Sequence, residues 1–298
     1  MTSITQLTRR QFLTTTVSAT AVSLVTGCAP HSNKCVRPQV PRQMQMKLSF
    51  MTFVCPTWPI EKIVTFAKEA GYDGVEIRVD AKHKHDISSQ SSAEVRRQTK
   101  KLFADAGVEI AAVATSVQFA SPKPDVLKTN LESAKANLQL AADLGAPVVR
   151  MFAGGGIRSL TPEAAKQVAA AFDEVGEHSK GSGSCPILEC GHDIIKTAKE
   201  AGEVIRQVTT SNFGALWNTS TMDDETFAVL KDRLRHFHVH DEVLDPANTN
   251  LVGLAQRVKS IGYRGFVSLE IIKKEDLPED LLKETAVRLK RQIAEGSK

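Results

Sequence analysis

Eight short apolar runs rich in Val, Ile and Phe recur along this chain, each followed by a longer stretch of helical period, and this alternation constrains its fold most. The runs cover residues 48–54, 74–79, 108–115, 147–152, 186–190, 213–217, 235–240 and 265–271. Strands that alternate with helices specify βα units and a parallel sheet. Eight such units predict an α/β chain folded as a single (β/α)8 barrel. An open doubly wound sheet advertises a glycine-rich phosphate loop after its first strand, and Val54-Cys55-Pro56-Thr57-Trp58-Pro59 contains no glycine. Gly154-Gly155-Gly156 after the fourth strand is no dinucleotide fingerprint either, and reads as a hinge or a place of close substrate approach.

The punctuation agrees. Helical stretches run into Gly71, Gly107, Gly145 and Gly262 just before a strand, where glycine can take the left-handed C-cap conformation. Thr161-Pro162-Glu163 carries an N-cap threonine, proline at the first helical position and an acid in the first turn. At 298 residues the chain is long, but barrels of about 250 residues are routinely one domain.

The first residues belong to another purpose. Thr8-Arg9-Arg10-Gln11-Phe12-Leu13 resembles a twin-arginine export signal, and Val25-Thr26-Gly27-Cys28 resembles a lipobox. Residues 1–27 are therefore expected to be a signal peptide and Cys28 the lipidated first residue of the mature protein. Residues 28–46 are then a flexible tether and 47–298 the barrel. The expected location is the periplasmic or outer face of a bacterial membrane, with the lipid as sole membrane contact. Removing Arg9 and Arg10 lowers the formal charge from +4 to +2, and mixed signs give no basis for nucleic-acid binding. Cys35 lies in the tether, Cys55, Cys185 and Cys190 fall at strand ends, and their spacing predicts no disulfide and no zinc finger.

In a (β/α)8 barrel the active site forms at the C-terminal ends of the strands. Strand five ends in Leu188-Glu189, strand six in Trp217-Asn218, strand seven in His238-Val239-His240-Asp241 and strand eight in Leu269-Glu270. Two carboxylates, an imidazole and an amide oxygen at one mouth suit one divalent ion such as Mn2+, Mg2+, Co2+ or Zn2+. Glu76, Arg78 and Arg150 on earlier strands are candidates to bond sugar hydroxyls or to brace the mouth as ion pairs. His83 and His85 read as a solvated loop more readily than as a functional pair. Trp58 and Trp217 could face a sugar or pack in the core.

Gly71-Tyr72-Asp73-Gly74-Val75-Glu76, Leu188-Glu189, His238-Val239-His240-Asp241 and Gly262-Tyr263-Arg264-Gly265-Phe266-Val267-Ser268-Leu269-Glu270 together resemble the xylose isomerase-like sugar phosphate isomerases and epimerases. That group includes D-tagatose 3-epimerase-like enzymes, inosose dehydratase-like lyases and, more distantly, abasic-site endonucleases. The resemblance implies that Glu189, Asn218, His238 and Glu270 hold the metal, and that Glu189 and Glu270 exchange the proton on the carbon next to a ketone. Arg150, Glu76, His192 and His240 become candidate substrate contacts. The chain departs from the pattern in having Asn218 for an aspartate, Thr221 for a histidine, His240 for a lysine and His192 one residue late.

The function so implied is an exported sugar isomerase or epimerase acting on a small carbohydrate. Two other readings use the same residues: a lyase or dehydratase on a keto-sugar, and a carbohydrate-binding barrel that has lost catalysis, as Asn218 and Thr221 allow. Self-association is left open. A nuclease would need more metal ligands and a basic DNA-binding face.

Overall fold

The computed structural model describes Met46–Lys298. The expected export signal, Cys28 and all but the last residue of the tether lie outside these residues. Eight parallel strands close on themselves in sequence order, β1 (Lys47–Met51), β2 (Gly74–Arg78), β3 (Glu109–Gln118), β4 (Val148–Phe152), β5 (Cys185–Cys190), β6 (Gly214–Trp217), β7 (Leu234–Val239) and β8 (Phe266–Leu269). The last strand pairs with the first through the register Lys47↔Phe266 to Phe50↔Leu269, which completes the (β/α)8 barrel. The helices are α1 (Ile60–Ala70), α2 (Ala93–Ala106), α3 (Pro124–Leu144), α4 (Pro162–Ser179), α5 (Ala198–Ile205), α6 (Asp224–Leu230), α7 (Asn250–Lys259) and α8 (Glu279–Gly296). None of them is long and apolar enough to cross a membrane.

Local chemistry sets the boundaries. Gly71, Gly107 and Gly145 end α1, α2 and α3 in the left-handed conformation, at φ 79°, 71° and 83°. Thr161 caps α4 by accepting from the Ala164 N–H at 3.2 Å. The three described cysteines, Cys55, Cys185 and Cys190, are free thiols. Trp58 and Trp217 are both core residues, and the indole of Trp217 donates to the Thr221 carbonyl at 2.7 Å.

Strand geometry then fills the lumen. Successive strand side chains point to opposite faces, so residues two apart share the interior. Its lower layer is apolar, with Ala112, Val148, Ile187 and Leu216 in one buried cluster. One step toward the C-terminal ends, the same strand faces carry Glu76, Arg150, Glu189, His236, His238, Ser268 and Glu270, all buried. The barrel core is therefore polar in its upper half, where side chains meet across the lumen.

A tight backbone approach lies at Gly265, at the entrance to β8. A Cβ there would collide with the Arg235 carbonyl oxygen and the Tyr263 ring. Gly265→Ala is expected to lower the unfolding free energy by about 1–3 kcal/mol, as overpacking of a dense interior does. Chemical denaturation reads this directly, and an unchanged midpoint would mean that the β7–β8 junction yields freely.

Candidate active site

Glu76 is the lowest member of the site. Its carboxylate takes the Nε2 of His236 at 2.9 Å and the Nε2 of His238 at 3.1 Å. Burial pushes the Glu76 carboxyl up, but the two imidazoles outweigh it and hold the group well below the ordinary range. His236 also meets Ser268 Oγ at 3.2 Å, and its Nδ1 has no partner among the described residues, so the ring is the neutral Nε2–H tautomer. Desolvation accordingly lowers its pKa.

His238 differs. Its Nε2 faces Glu76, and its Nδ1 lies 3.0 Å from Glu270 Oε2 without hydrogen-bond geometry. Burial disfavours charge on this ring, yet carboxylates at both nitrogens raise its pKa well above that of a free imidazole. The ring therefore favours its protonated form.

Arg150 on β4 reaches across to the carboxylates of β5 and β8. Its Nε is 3.3 Å from Glu189 Oε2 and one terminal nitrogen is 3.6 Å from Glu270 Oε1. Its guanidinium also lies 4.2 Å from the Phe152 ring centroid. All three charged side chains are nearly inaccessible to solvent, and neither Arg150 Nε nor Glu189 Oε2 makes a hydrogen bond among the described residues. The two glutamates are driven apart. Burial raises Glu189, whereas for Glu270 the effect of burial is overcome by His238 and Arg150, which bring it down to about 2.

Two trios of donor atoms lie close enough to hold one cation: Glu76 with His236 and His238, and Glu189 with His238 and Glu270, each set within 4.8 Å. In the first trio the atoms are occupied in hydrogen bonds with one another. In the second, His238 Nδ1 and Glu189 Oε2 are buried polar atoms without hydrogen-bond partners among the described residues, the condition in which a metal ligand is left. The upper trio therefore fits a divalent ion better, with Glu76 as the carboxylate that orients the ligand imidazole from behind.

The other expected contacts divide. Asn218 sits beside the trio, but its Oδ1 is 2.8 Å from His240 Nε2, while His240 Nδ1 donates to the Glu270 carbonyl at 2.9 Å. The Asn218 backbone oxygen lies 3.3 Å from the same Nε2, so the Asn218 amide oxygen is engaged by His240. His192 is half exposed, with Nδ1 3.8 Å from Glu189 Oε1. Glu76 needs correction as a substrate contact: it is fully buried and both its oxygens serve histidines. The solvated reading of the β2 loop also fails, because His85 is buried and both His83 and His85 contact Thr52. Gly154 is drawn onto Asp193, whose Oδ2 accepts its N–H at 2.5 Å. Sequence reading passed over His236, although the spacing His236-x-His238-x-His240 places all three on one strand face.

Fold and site thus define a barrel with a buried acid–histidine–arginine cluster at its C-terminal mouth. Residues 64–292 match the family model described as xylose isomerase-like TIM barrel, and the chain belongs to that family. No curated protein matches it in sequence. Among solved structures it is similar to a D-psicose 3-epimerase from Clostridium cellulolyticum H10, with a TM-score of 0.69 at 15% identity over 84% of this chain and 100% of that one. It is also similar to the 3-keto-D-glucoside 4-epimerase of E. coli, with a TM-score of 0.68 at 16% identity over 83% and 100% of the two chains. The probable 3-DHS dehydratase of Bacillus anthracis gives 0.64 at 17% identity over 82% and 99%. At these identities the likeness is one of fold.

Proposed function

We propose that this chain is a divalent-metal-dependent sugar isomerase or epimerase that moves a proton on the carbon next to a carbonyl. The convergence of Glu189, His238 Nδ1 and Glu270 carries the reading, because it supplies both a cation site and two carboxylates of unlike basicity. A divalent ion held by these three, with Asn218 alongside, would polarise the carbonyl and its neighbouring hydroxyl. The acidic Glu270 is poised as the ionised base, and the protonation-prone Glu189 as the acid on the other side. Two carboxylates of one barrel whose environments separate their proton affinities suit removal and return of one proton. Arg150 between them offsets the negative charge that develops on the substrate.

Export by the twin-arginine route and lipid anchoring at Cys28 belong to the same proposal and rest on the sequence motifs. The reaction is tested by incubating the protein and Mn2+ with a panel of keto-sugars in deuterium oxide. Deuterium gained next to the carbonyl, with an epimeric or isomeric product, supports the reading. Loss of water from the sugar instead identifies the lyase, a reading that the fold likeness to a dehydratase keeps in view. Neither exchange nor product leaves the non-catalytic barrel, which the neutral Asn218 favours.

Metal binding has its own signature. His238 must lose a proton before Nδ1 can ligate, so association should release at least about one proton per ion and tighten as pH rises through neutrality. Calorimetry in two buffers of different ionisation enthalpy measures this. Binding without proton release would remove His238 from the ligand set.

A further inference from the structure

Arg78 is a cation that the protein orients but does not neutralise. It stands two residues beyond Glu76 on the inward face of β2, and three of its five donors are used internally. Nη1 donates to the carbonyl oxygens of Val79 and, at 3.1 Å, Ala114, and Nη2 donates to the Ser116 hydroxyl. All three acceptors are neutral, and no carboxylate among the described residues pairs with it within 4.0 Å. Asp80, whose charge it feels, is occupied elsewhere: Oδ1 takes the Ser89 N–H at 2.8 Å and Oδ2 takes the Asn137 amide at 2.9 Å. Burial and the nearby Arg150 push Arg78 down to about 10. Asp80 and Glu270 stabilise its charge only from a distance, and a partly buried guanidinium with no carboxylate in contact gains from any further negative charge brought to it.

A chain of hydrogen bonds fixes a second donor beside it. The Ile87 N–H donates to His85 Nδ1 at 3.0 Å, so neutral His85 carries its proton on Nε2, which meets Thr52 Oγ1 at 3.4 Å. The same oxygen accepts the Arg78 backbone N–H at 3.0 Å. With two donors already directed at it, the Thr52 hydroxyl turns its own hydrogen to its third partner, His83 Nδ1, at 3.3 Å. His83 is thereby the Nε2–H tautomer. Burial and Arg78 both lower its pKa, so the ring stays neutral. The His83 ring meets the Phe53 ring edge to face at 5.5 Å, and the Arg78 guanidinium lies 5.8 Å from the same centroid. Ser116, an acceptor toward Arg78, keeps its own hydroxyl proton free to donate.

We infer that Arg78, His83 and Ser116 form a subsite for an anionic group, a carboxylate or a phosphate, on the β1–β3 side of the mouth. Arg78 and His83 have only N–H groups left to offer and Ser116 has a hydroxyl proton, and a guanidinium with a fixed N–H matches oxyanion recognition. The substrate class then rests on the proposed reaction: the sugar is acidic, a sugar phosphate or a sugar acid, and its charged end binds away from Glu189 on β5.

The full chain labelled with 15N-histidine tests this by NMR titration with inorganic phosphate, with glucuronate and with neutral glucose. The His83 ring should start as the Nε2–H tautomer, and its signals should move saturably with one or both anions but not with glucose. A response to phosphate alone assigns a phosphorylated substrate, and a response to glucuronate alone assigns a sugar acid. Arg78→Met should weaken binding about 10- to 100-fold, as loss of a hydrogen bond to a charged group does. His83→Phe keeps the ring on Phe53 and should weaken binding less, which covers the case in which Arg78→Met does not fold. Thr52→Val should mix the His83 tautomers. Anions that leave His83 unmoved, a glucose response of equal size, or undiminished affinity in both Arg78→Met and His83→Phe would each overturn the subsite. Because the titration needs no turnover, anion binding retained in a protein that shows no proton exchange would sink only the proposed reaction.

Discussion

Glu270→Gln should leave the barrel folded while solvent-derived deuterium ceases to enter the substrate, a fall of about 10²- to 10⁴-fold for loss of a general base. The substitution keeps the size of the side chain and removes the ionised group that faces both His238 Nδ1 at 3.0 Å and Arg150 at 3.6 Å. It is the member of the pair held ionised, since its carboxyl is held down to about 2 while that of Glu189 is raised. Glu189→Gln should instead spare part of the exchange, because a base on the other side still removes the proton. Exchange in deuterium oxide followed by NMR separates the two, and Glu270→Gln exchanging at the normal rate would exclude it as the base.

Arg150→Met is expected to cost about 3–5 kcal/mol of stability in the metal-free protein, the range for removing one partner of a buried charge pair. Glu189 and Glu270 would then keep two buried carboxylates with His238 as their remaining cation. The loss should be partly reversed by Mn2+, which would supply the missing positive charge, and metal affinity should exceed that of the parent. Thermal unfolding with and without Mn2+ reads both effects. If the variant unfolds like the parent in chelator, the guanidinium does not brace the site, and if Mn2+ restores nothing, the upper trio is not where the ion binds.

Both expectations depend on features of very different legibility. The closed barrel could be read from the chain because its causes are local: short apolar runs rich in Val, Ile and Phe, helices with their caps, and glycine at the left-handed ends of α1, α2 and α3. That Glu189, His238 and Glu270 would gather at one mouth was legible for the same reason, since a parallel barrel presents the C-terminal ends of its strands together. Even His236 was accessible to the two-residue period, though it lies one layer below the mouth where attention falls.

What the sequence could not decide are the pairings across the lumen. Arg150 stands on β4 and its carboxylates on β5 and β8, the farther of them 120 residues away, and no spacing rule says which acid a guanidinium will reach. Glu76 looked like a substrate contact from its place on β2, and became the shared acceptor of two histidines 160 and 162 residues later. Likewise, the β2 loop looked solvated because its residues are polar, yet Thr52 gathers His83, His85 and the Arg78 backbone N–H around one hydroxyl in the fold. Periodicity fixes which face of a strand a residue occupies; burial and charge balance, which act between strands brought together only by closure, fix its partner and its protonation state.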